Sequence, residues 1–292
     1  MDLLWTHVPP ITKTWIVLTT TTSILISLHK LNPQSLTFHP NLAFTTEPWR
    51  LITPFIAIDE LSSRLFFKIL EISISCGGLE SALSTKPDTL PERIIDEFDR
   101  DQLETLHRFT IRNQSLDYLY LLSQIIISVI MSVTVLYYEY GVLVYPLGKL
   151  LSRVLLYMHA QISPHDRINV MGVVVRRRYY PWLLMGAWMF FSEPVHHNFS
   201  NLVNVEYGVL LRNEYVWFEV LVIGLGHFWW VVRVLLLEKV HYDGNERRRL
   251  LKRKVLEKYG VVKVDVVREL LILILLPPWY WVILSKIRNR RG

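Results

Sequence analysis

The sequence predicts an all-α membrane protein, and three observations carry that prediction. Of 292 residues, 51% are apolar and only 20% charged, with 10 Trp, 14 Tyr and 12 Phe, which is more oily surface than one water-soluble core can hide. Apolar runs recur at close to the roughly 20 residues that a helix needs to cross hydrocarbon. The formal charge of +6 is local, because 14 of the 32 Lys and Arg lie between Lys239 and Arg291. That asymmetry suits orientation across a bilayer rather than a nucleic-acid groove, for which no interleaved basic and stacking surface exists. The composition also excludes a disordered chain and a disulfide-stapled module, since Cys76 has no second cysteine to pair with.

Taken in order, the first span is Ile16 to Leu31, short and loaded with Thr19 to Thr22, whose hydroxyls can bond back to backbone carbonyls. Leu61 to Leu83 follows and carries Lys68, Glu71 and Glu80. Tyr118 to Tyr140 is long and uninterrupted. Val142 to His159 holds Lys149 and Arg153 one turn apart, and Tyr179 to Phe191 offers about thirteen residues, well short of a crossing. The sixth, Phe218 to Leu237, again fills the length. Charged or short spans survive only inside a bundle, where a cavity or partner solvates them. Small pairs at four-residue spacing, Gly77 with Ser81 and Gly78 with Ala82, suit close helix approach.

Six spans with a cytosolic N-terminus place Arg167, Arg176, Arg177 and Arg178 in a cytosolic loop, Gln161 to Arg178. The loop from Ser192 to Trp217 is then lumenal and holds one basic residue, Arg212, while the basic C-terminus is cytosolic. Two sequons follow the same assignment: Asn198-Phe199-Ser200 is lumenal and a glycosylation candidate, and Asn113-Gln114-Ser115 is cytosolic and unused. The start of the chain has no small-residue cleavage site, so the first helix is expected to be an anchor rather than a signal peptide.

Two segments lie outside the bilayer on this reading. An insert, residues 84–117, opens on the capping-box spacing Thr89-Leu90-Pro91-Glu92 and continues with Ile94, Ile95, Phe98, Leu103, Leu106 and Phe109 at helical spacing, a cytosolic amphipathic helix. It belongs to a membrane domain of residues 1–238. A basic tail, residues 239–292, contains an apolar segment, 266–284, broken by Pro277-Pro278. A seventh crossing would put Lys286, Arg288, Arg290 and Arg291 in the lumen, so the segment is expected to be interfacial, with Trp279, Tyr280 and Trp281 at headgroup level.

Trp49-Arg50, within Glu47-Pro48-Trp49-Arg50-Leu51-Ile52-Thr53-Pro54-Phe55, suits an anchor in the lumenal loop after the first span, the indole at the polar boundary and the guanidinium on phosphate. Here the sequence resembles the derlin family, endoplasmic-reticulum relatives of rhomboid proteases that lack protease activity. The resemblance, of fungal type, continues at Pro9-Pro10-Ile11-Thr12-Lys13, Leu79-Glu80, Ala160-Gln161, Tyr180-Pro181-Trp182 and Gly226-His227. It departs at Val222, where the family's sixth span carries the first glycine of Gly-x-x-x-Gly.

The resemblance implies a rhomboid-like bundle of six transmembrane helices with additional cytosolic amphipathic helices. It implies a non-catalytic component of endoplasmic-reticulum-associated degradation that helps misfolded substrates reach the cytosol by local membrane thinning. Trp49, Arg50, Glu80, Gln161, Gly226 and His227 are the residues it marks for substrate handling and membrane thinning. A ubiquitin-ligase complex and misfolded substrates are the implied partners, and no cofactor, metal or nucleic acid is expected.

Two other classes compete. An active intramembrane protease needs a hydroxyl activated by a neighbouring base and an oxyanion site. Ser152 is the one Ser or Thr between Gly141 and Ile162, lacks the Gly-x-Ser setting of rhomboids, and would have to pair with His227. A channel or transporter would use Lys149 and Arg153, which have no acidic neighbour in sequence. His196-His197 lacks the further ligands that zinc requires. Arg247, Arg248, Arg249, Lys252, Arg253 and Lys254 form a polybasic stretch for anionic lipid; it also resembles the arginine-rich helices with which membrane degradation factors recruit the AAA segregase.

Overall fold

A computed structural model describes residues 8–83, 85, 90, 98–170, 173–191, 214–233, 271–272 and 274–289. Two compact units result, one built from residues 1–83 and 118–229, the other from residues 84–117 and 230–292. The described chain is mostly helical: α1 (Pro10–Ser27), α2 (Ser63–Ala82), α3 (Arg100–Arg112), α4 (Gln114–Tyr140), α5 (Leu147–Ile162), α6 (Tyr180–Phe191), α7 (Glu214–Trp230) and α8 (Pro278–Asn289). Helices α1, α2, α4, α5, α6 and α7 overlap the six expected spans in turn. Among the described residues, Gln114–Tyr140 and Val216–Arg233 are long and apolar enough to cross a bilayer.

In the first unit, local chemistry explains where the helices begin. Pro10 sits at the first position of α1, where its missing N–H removes no intrahelical bond. The hydroxyls of Thr14, Thr20 and Thr22 donate to the carbonyls of Pro10, Ile16 and Leu18, so these side chains bring their polar atoms back onto the helix. Ser62 caps α2 by accepting the Leu65 N–H. Between α1 and α2 the chain makes four short turns, Pro33–Leu36, Pro40–Ala43, Pro48–Leu51 and Thr53–Phe55, each with proline in its first two positions.

Helix α5 occupies the middle of this unit and is buried along most of its length, from Leu147 and Gly148 to His159 and Ala160. It packs on α2 and α6. A β-carbon built on Gly148 would lie 2.7 Å from the Phe55 carbonyl oxygen, so the loop backbone touches the start of α5 where only glycine leaves room. The Trp15 indole N–H donates to that same carbonyl at 3.0 Å, and Ser23 Oγ donates to the Asp59 carbonyl at 2.7 Å.

One departure from an all-helical chain follows α5. The expected loop from Gln161 to Arg178 contains an antiparallel hairpin, β1 (Arg167–Val170) with β2 (Val173–Arg176), in the register Arg167 opposite Arg176 and Ile168 opposite Val175. Val173, Val174 and Val175 are β-branched and favour an extended backbone; the basic residues around them mask that signal in sequence.

The second unit joins the insert to the tail. Asp99 caps α3 in a reciprocal capping box with Gln102, while Thr89 and Glu92 fall outside the described residues. Leu106 on α3 packs with Leu90, Ile272, Leu276, Tyr280 and Leu284. The Gln102 amide donates to the Ile287 carbonyl at 3.1 Å, satisfying a carbonyl near the end of α8. Tyr280 is fully buried and meets Phe109 edge-on at 5.7 Å, so its ring packs on protein rather than facing lipid.

Candidate functional site

Glu80 shows how two of the singled-out segments meet, Pro9 to Lys13 and Leu79-Glu80. Pro9 and Pro10 have no N–H, so Ile11 and Thr12 present the first donors of α1, before its ladder opens with Lys13 bonding to the Pro9 carbonyl. Glu80, with 1% of its surface exposed, accepts both: Ile11 N–H at 3.1 Å, Thr12 N–H at 2.9 Å and also the Thr12 hydroxyl at 2.8 Å. A carboxylate at a helix N-terminus is favoured by the macrodipole as well as by the hydrogen bonds. Glu80 therefore holds the start of α1 and is not part of a hydrated face.

The glycines just before it make the approach possible. A β-carbon on Gly77 would meet Pro9 at 3.4 Å, and one on Gly78 would lie 2.4 Å from the His159 ring. A single turn of α2 therefore receives α1 on one side and α5 on another.

Arg50 is buried and acts within the protein. It pairs with Glu47 and donates through one terminal nitrogen to the carbonyls of Gln34 at 2.8 Å and Thr37 at 2.9 Å. The guanidinium fork thus ties the Pro48–Leu51 turn to the Pro33–Leu36 turn, in place of the expected phosphate contact. Trp49 beside it is 51% exposed, with Phe44 and Ile52 also exposed. The loop is a braced platform carrying outward apolar side chains.

Gln161, Gly226 and His227 converge on a residue that the motif reading passed over, Tyr157. A β-carbon on Gly226 would lie 2.8 Å from the Tyr157 ring. His227 Nδ1 is 3.3 Å from the Tyr157 hydroxyl, and Gln161 hydrogen-bonds the same side chain. Ser152 lies five positions before Tyr157, about 140° around the helix, and donates its hydroxyl to the Lys149 carbonyl at 2.9 Å. The histidine thus faces a tyrosine, and the serine proton points along its own helix.

Lys68 and Glu71 of α2 and Arg153 of α5 form one network. Lys68 Nζ lies 3.0 Å from both Glu71 oxygens, and Arg153 Nε lies 3.7 Å from Glu71. Glu219 on α7 is electrostatically coupled to Lys68, Lys149 and Arg153, and Lys149 sits 5.8 Å over the Phe218 ring. The acids that Lys149 and Arg153 lack nearby in sequence are supplied by other helices. Glu71 also borders a cavity of roughly 220 Å³ lined by Ser75, His159, Arg177 and Tyr180. Arg177 donates toward His159 Nε2 at 3.1 Å and pairs with Asp166 at 2.9 Å.

In the second unit the motif reading missed Asp117. This buried carboxylate accepts from Thr85 Oγ1 at 2.5 Å, Tyr280 Oη at 2.6 Å and Trp279 Nε1 at 3.0 Å. Burial, reinforced by Asp117, raises the Tyr280 hydroxyl well above an ordinary tyrosine. A raised value means that Tyr280 contributes its full stability below about pH 10, the unfolded tyrosine range, and loses it as pH climbs toward the higher folded value. Tyrosinate absorbance during alkaline titration should therefore lose one late-titrating tyrosine in Tyr280→Phe. An unchanged titration curve in that variant would contradict the assignment.

Asn113 caps the end of α3 and donates its amide to the Phe109 carbonyl at 2.9 Å. Asn198, Arg247, Arg248, Arg249, Lys252, Arg253 and Lys254 lie outside the described residues.

The profile of the Der1-like family matches residues 8–217, a range that opens beside the Glu80-held turn and includes Trp49, Arg50, Tyr157 and Gln161. It stops short of Gly226 and His227, whose part in the site rests on their contacts with Tyr157. Derlin-1.2 of Zea mays is 24% identical over 215 residues, covering 73% of this chain and 73% of that protein. No solved structure matches. With most of its length matched, and with the matched motifs gathered into one helical unit, the chain belongs to the Der1-like, or derlin, family.

Proposed function

We propose that this chain is a non-catalytic, six-span component of endoplasmic-reticulum-associated degradation that eases the passage of misfolded proteins to the cytosol. The observation that carries the reading is the length of α6 over the described residues: its 12 residues rise about 18 Å, against roughly 30 Å of hydrocarbon. A helix that cannot lengthen relieves the mismatch by thinning the bilayer beside it. The Lys68, Glu71 and Arg153 network and the adjoining cavity supply polar surface where the barrier is thinnest.

On this reading the ligase complex of the degradation pathway and misfolded substrates are partners, and the polybasic stretch Arg247 to Lys254 holds lipid or an AAA segregase. The exposed Trp49 handles substrate or lipid, and Arg50 keeps its platform folded. Trp49→Ala should lengthen the half-life of a misfolded membrane or lumenal substrate while leaving thermal unfolding unchanged. Arg50→Ala should do the same and also loosen residues 34–50 in hydrogen exchange. Unchanged substrate half-lives in both variants would refute the role of this loop.

On this proposal both termini are cytosolic. Glycosylation mapping in microsomes should find sugar on Asn198 and none on Asn113; sugar on Asn113 would reverse the proposed orientation.

A further inference from the structure

The hairpin after α5 joins two features that oppose each other in water. Arg167 and Arg176 are directly opposed across the ladder, so both project from one face, and both are exposed. Like charges in that position destabilise a strand pair unless something negative lies between or beside them. Asp166, the acid next to Arg167 in sequence, is already paired with Arg177, which turns inward to Asp166 and His159 and forms the root of the hairpin. Arg178 adds a third outward charge and lies 5.3 Å over the Tyr179 ring.

Beyond this basic base the second strand is apolar, with Asn169 opposite Val174 in the first. Val174, two positions from Arg176 and therefore on the same face, is 62% exposed, and Val173 on the other face is equally so. Ile168 of the first strand lines the inner cavity. At the start of α6, immediately after the hairpin, Tyr179, Trp182 and Leu183 are exposed as well. Basic residues backed by valine and followed by tyrosine and tryptophan form the arrangement that a bilayer interface accommodates, phosphates at the arginines and acyl carbon at the exposed valines.

From this we infer that the Arg167–Arg176 hairpin docks onto the anionic lipid surface beside α6, its opposed arginines sharing headgroup phosphates and its valines entering the acyl boundary. The anion removes the repulsion between Arg167 and Arg176, so lipid completes the hairpin. Because the hairpin leads directly into the helix that is shortest of the six over the described residues, headgroups gathered there sit where the bilayer has to deform.

The test uses the full-length protein in nanodiscs of phosphatidylcholine with and without phosphatidylserine. Val174→Cys carries an environment-sensitive fluorophore; the native Cys76 is buried. Spin-labelled phosphatidylcholine with the label high on the acyl chain should quench the probe more than iodide does, and more strongly when phosphatidylserine is present. High salt should remove the phosphatidylserine increment without any change of sequence. Arg167→Gln with Arg176→Gln should also remove it, at about five-fold in local anionic-lipid enrichment per arginine, whereas lysine at both positions should retain it. A probe quenched by iodide regardless of lipid would overturn the inference in favour of a solvated loop. A probe shielded from both quenchers would overturn it in favour of a protein partner. Nanodiscs expose both leaflets, so the result is independent of orientation and of whether substrate degradation requires this protein.

Discussion

Glu80→Ala is expected to lower the stability of the detergent-solubilised protein by about 3 kcal/mol, given that hydrogen bonds to a charged group contribute about 1.5–3 kcal/mol each and do not add fully. The change removes the acceptor for Ile11 N–H, Thr12 N–H and the Thr12 hydroxyl together. Both prolines before them lack a donor, and Lys13 begins the ladder, so no neighbouring group inherits the task. Amide exchange in the first turn of α1 should rise most. Glu80→Gln should fall between, because the amide keeps one oxygen but turns an NH2 toward one of the donors. A double-mutant cycle with Thr12→Val isolates the hydroxyl contact; a coupling indistinguishable from zero would show that Glu80 acts elsewhere.

The second large effect is expected in the other unit. Asp117→Ala leaves the Thr85 hydroxyl, the Tyr280 hydroxyl and the Trp279 indole N–H without their acceptor. Each orphaned buried donor costs about 1–3 kcal/mol, so a loss of about 3 kcal/mol should open the packing of α3 on α8. Hydrogen exchange would show this as faster exchange across residues 100–112 and 278–289 while α1 and α2 keep their protection. Limited proteolysis gives an independent readout, with the tail released first. Protection of residues 278–289 that matches the unaltered protein would mean that the apolar cluster around Leu106 and Leu276 holds the unit without Asp117.

The two cases also show why parts of this molecule are legible in its sequence and others are not. Helices α1, α2, α4, α5, α6 and α7 could be located because apolar run length and proline placement are local signals. The hydrogen bonds to Glu80 span 68 and 69 positions, and beside Lys68 and Glu71 it reads as one more charge on a hydrated face. Arg50 acts on two backbone carbonyls, which leave no mark in side-chain identity. Tyr157 belongs to no motif; Gly226, His227 and Gln161 mark it only once the helices are brought together. The hairpin was hidden for a different reason: three successive valines signal a strand, but the surrounding arginines signal a loop. Where Asp117 is concerned, Trp279 and Tyr280 resemble an aromatic belt, and only the insert shows that they face protein.

The threonines of α1 bear on how proteins of this kind are recognised at all. With the hydroxyls of Thr14, Thr20 and Thr22 folded back onto Pro10, Ile16 and Leu18, what these residues show their surroundings is largely methyl. A hydropathy scan counts each as a polar residue, so it grades this helix as wetter than its outer surface is. Homologues whose opening segment is equally rich in threonine will be under-counted by any census that relies on such scans, and weighting an intrahelical hydroxyl as an alanine would recover them.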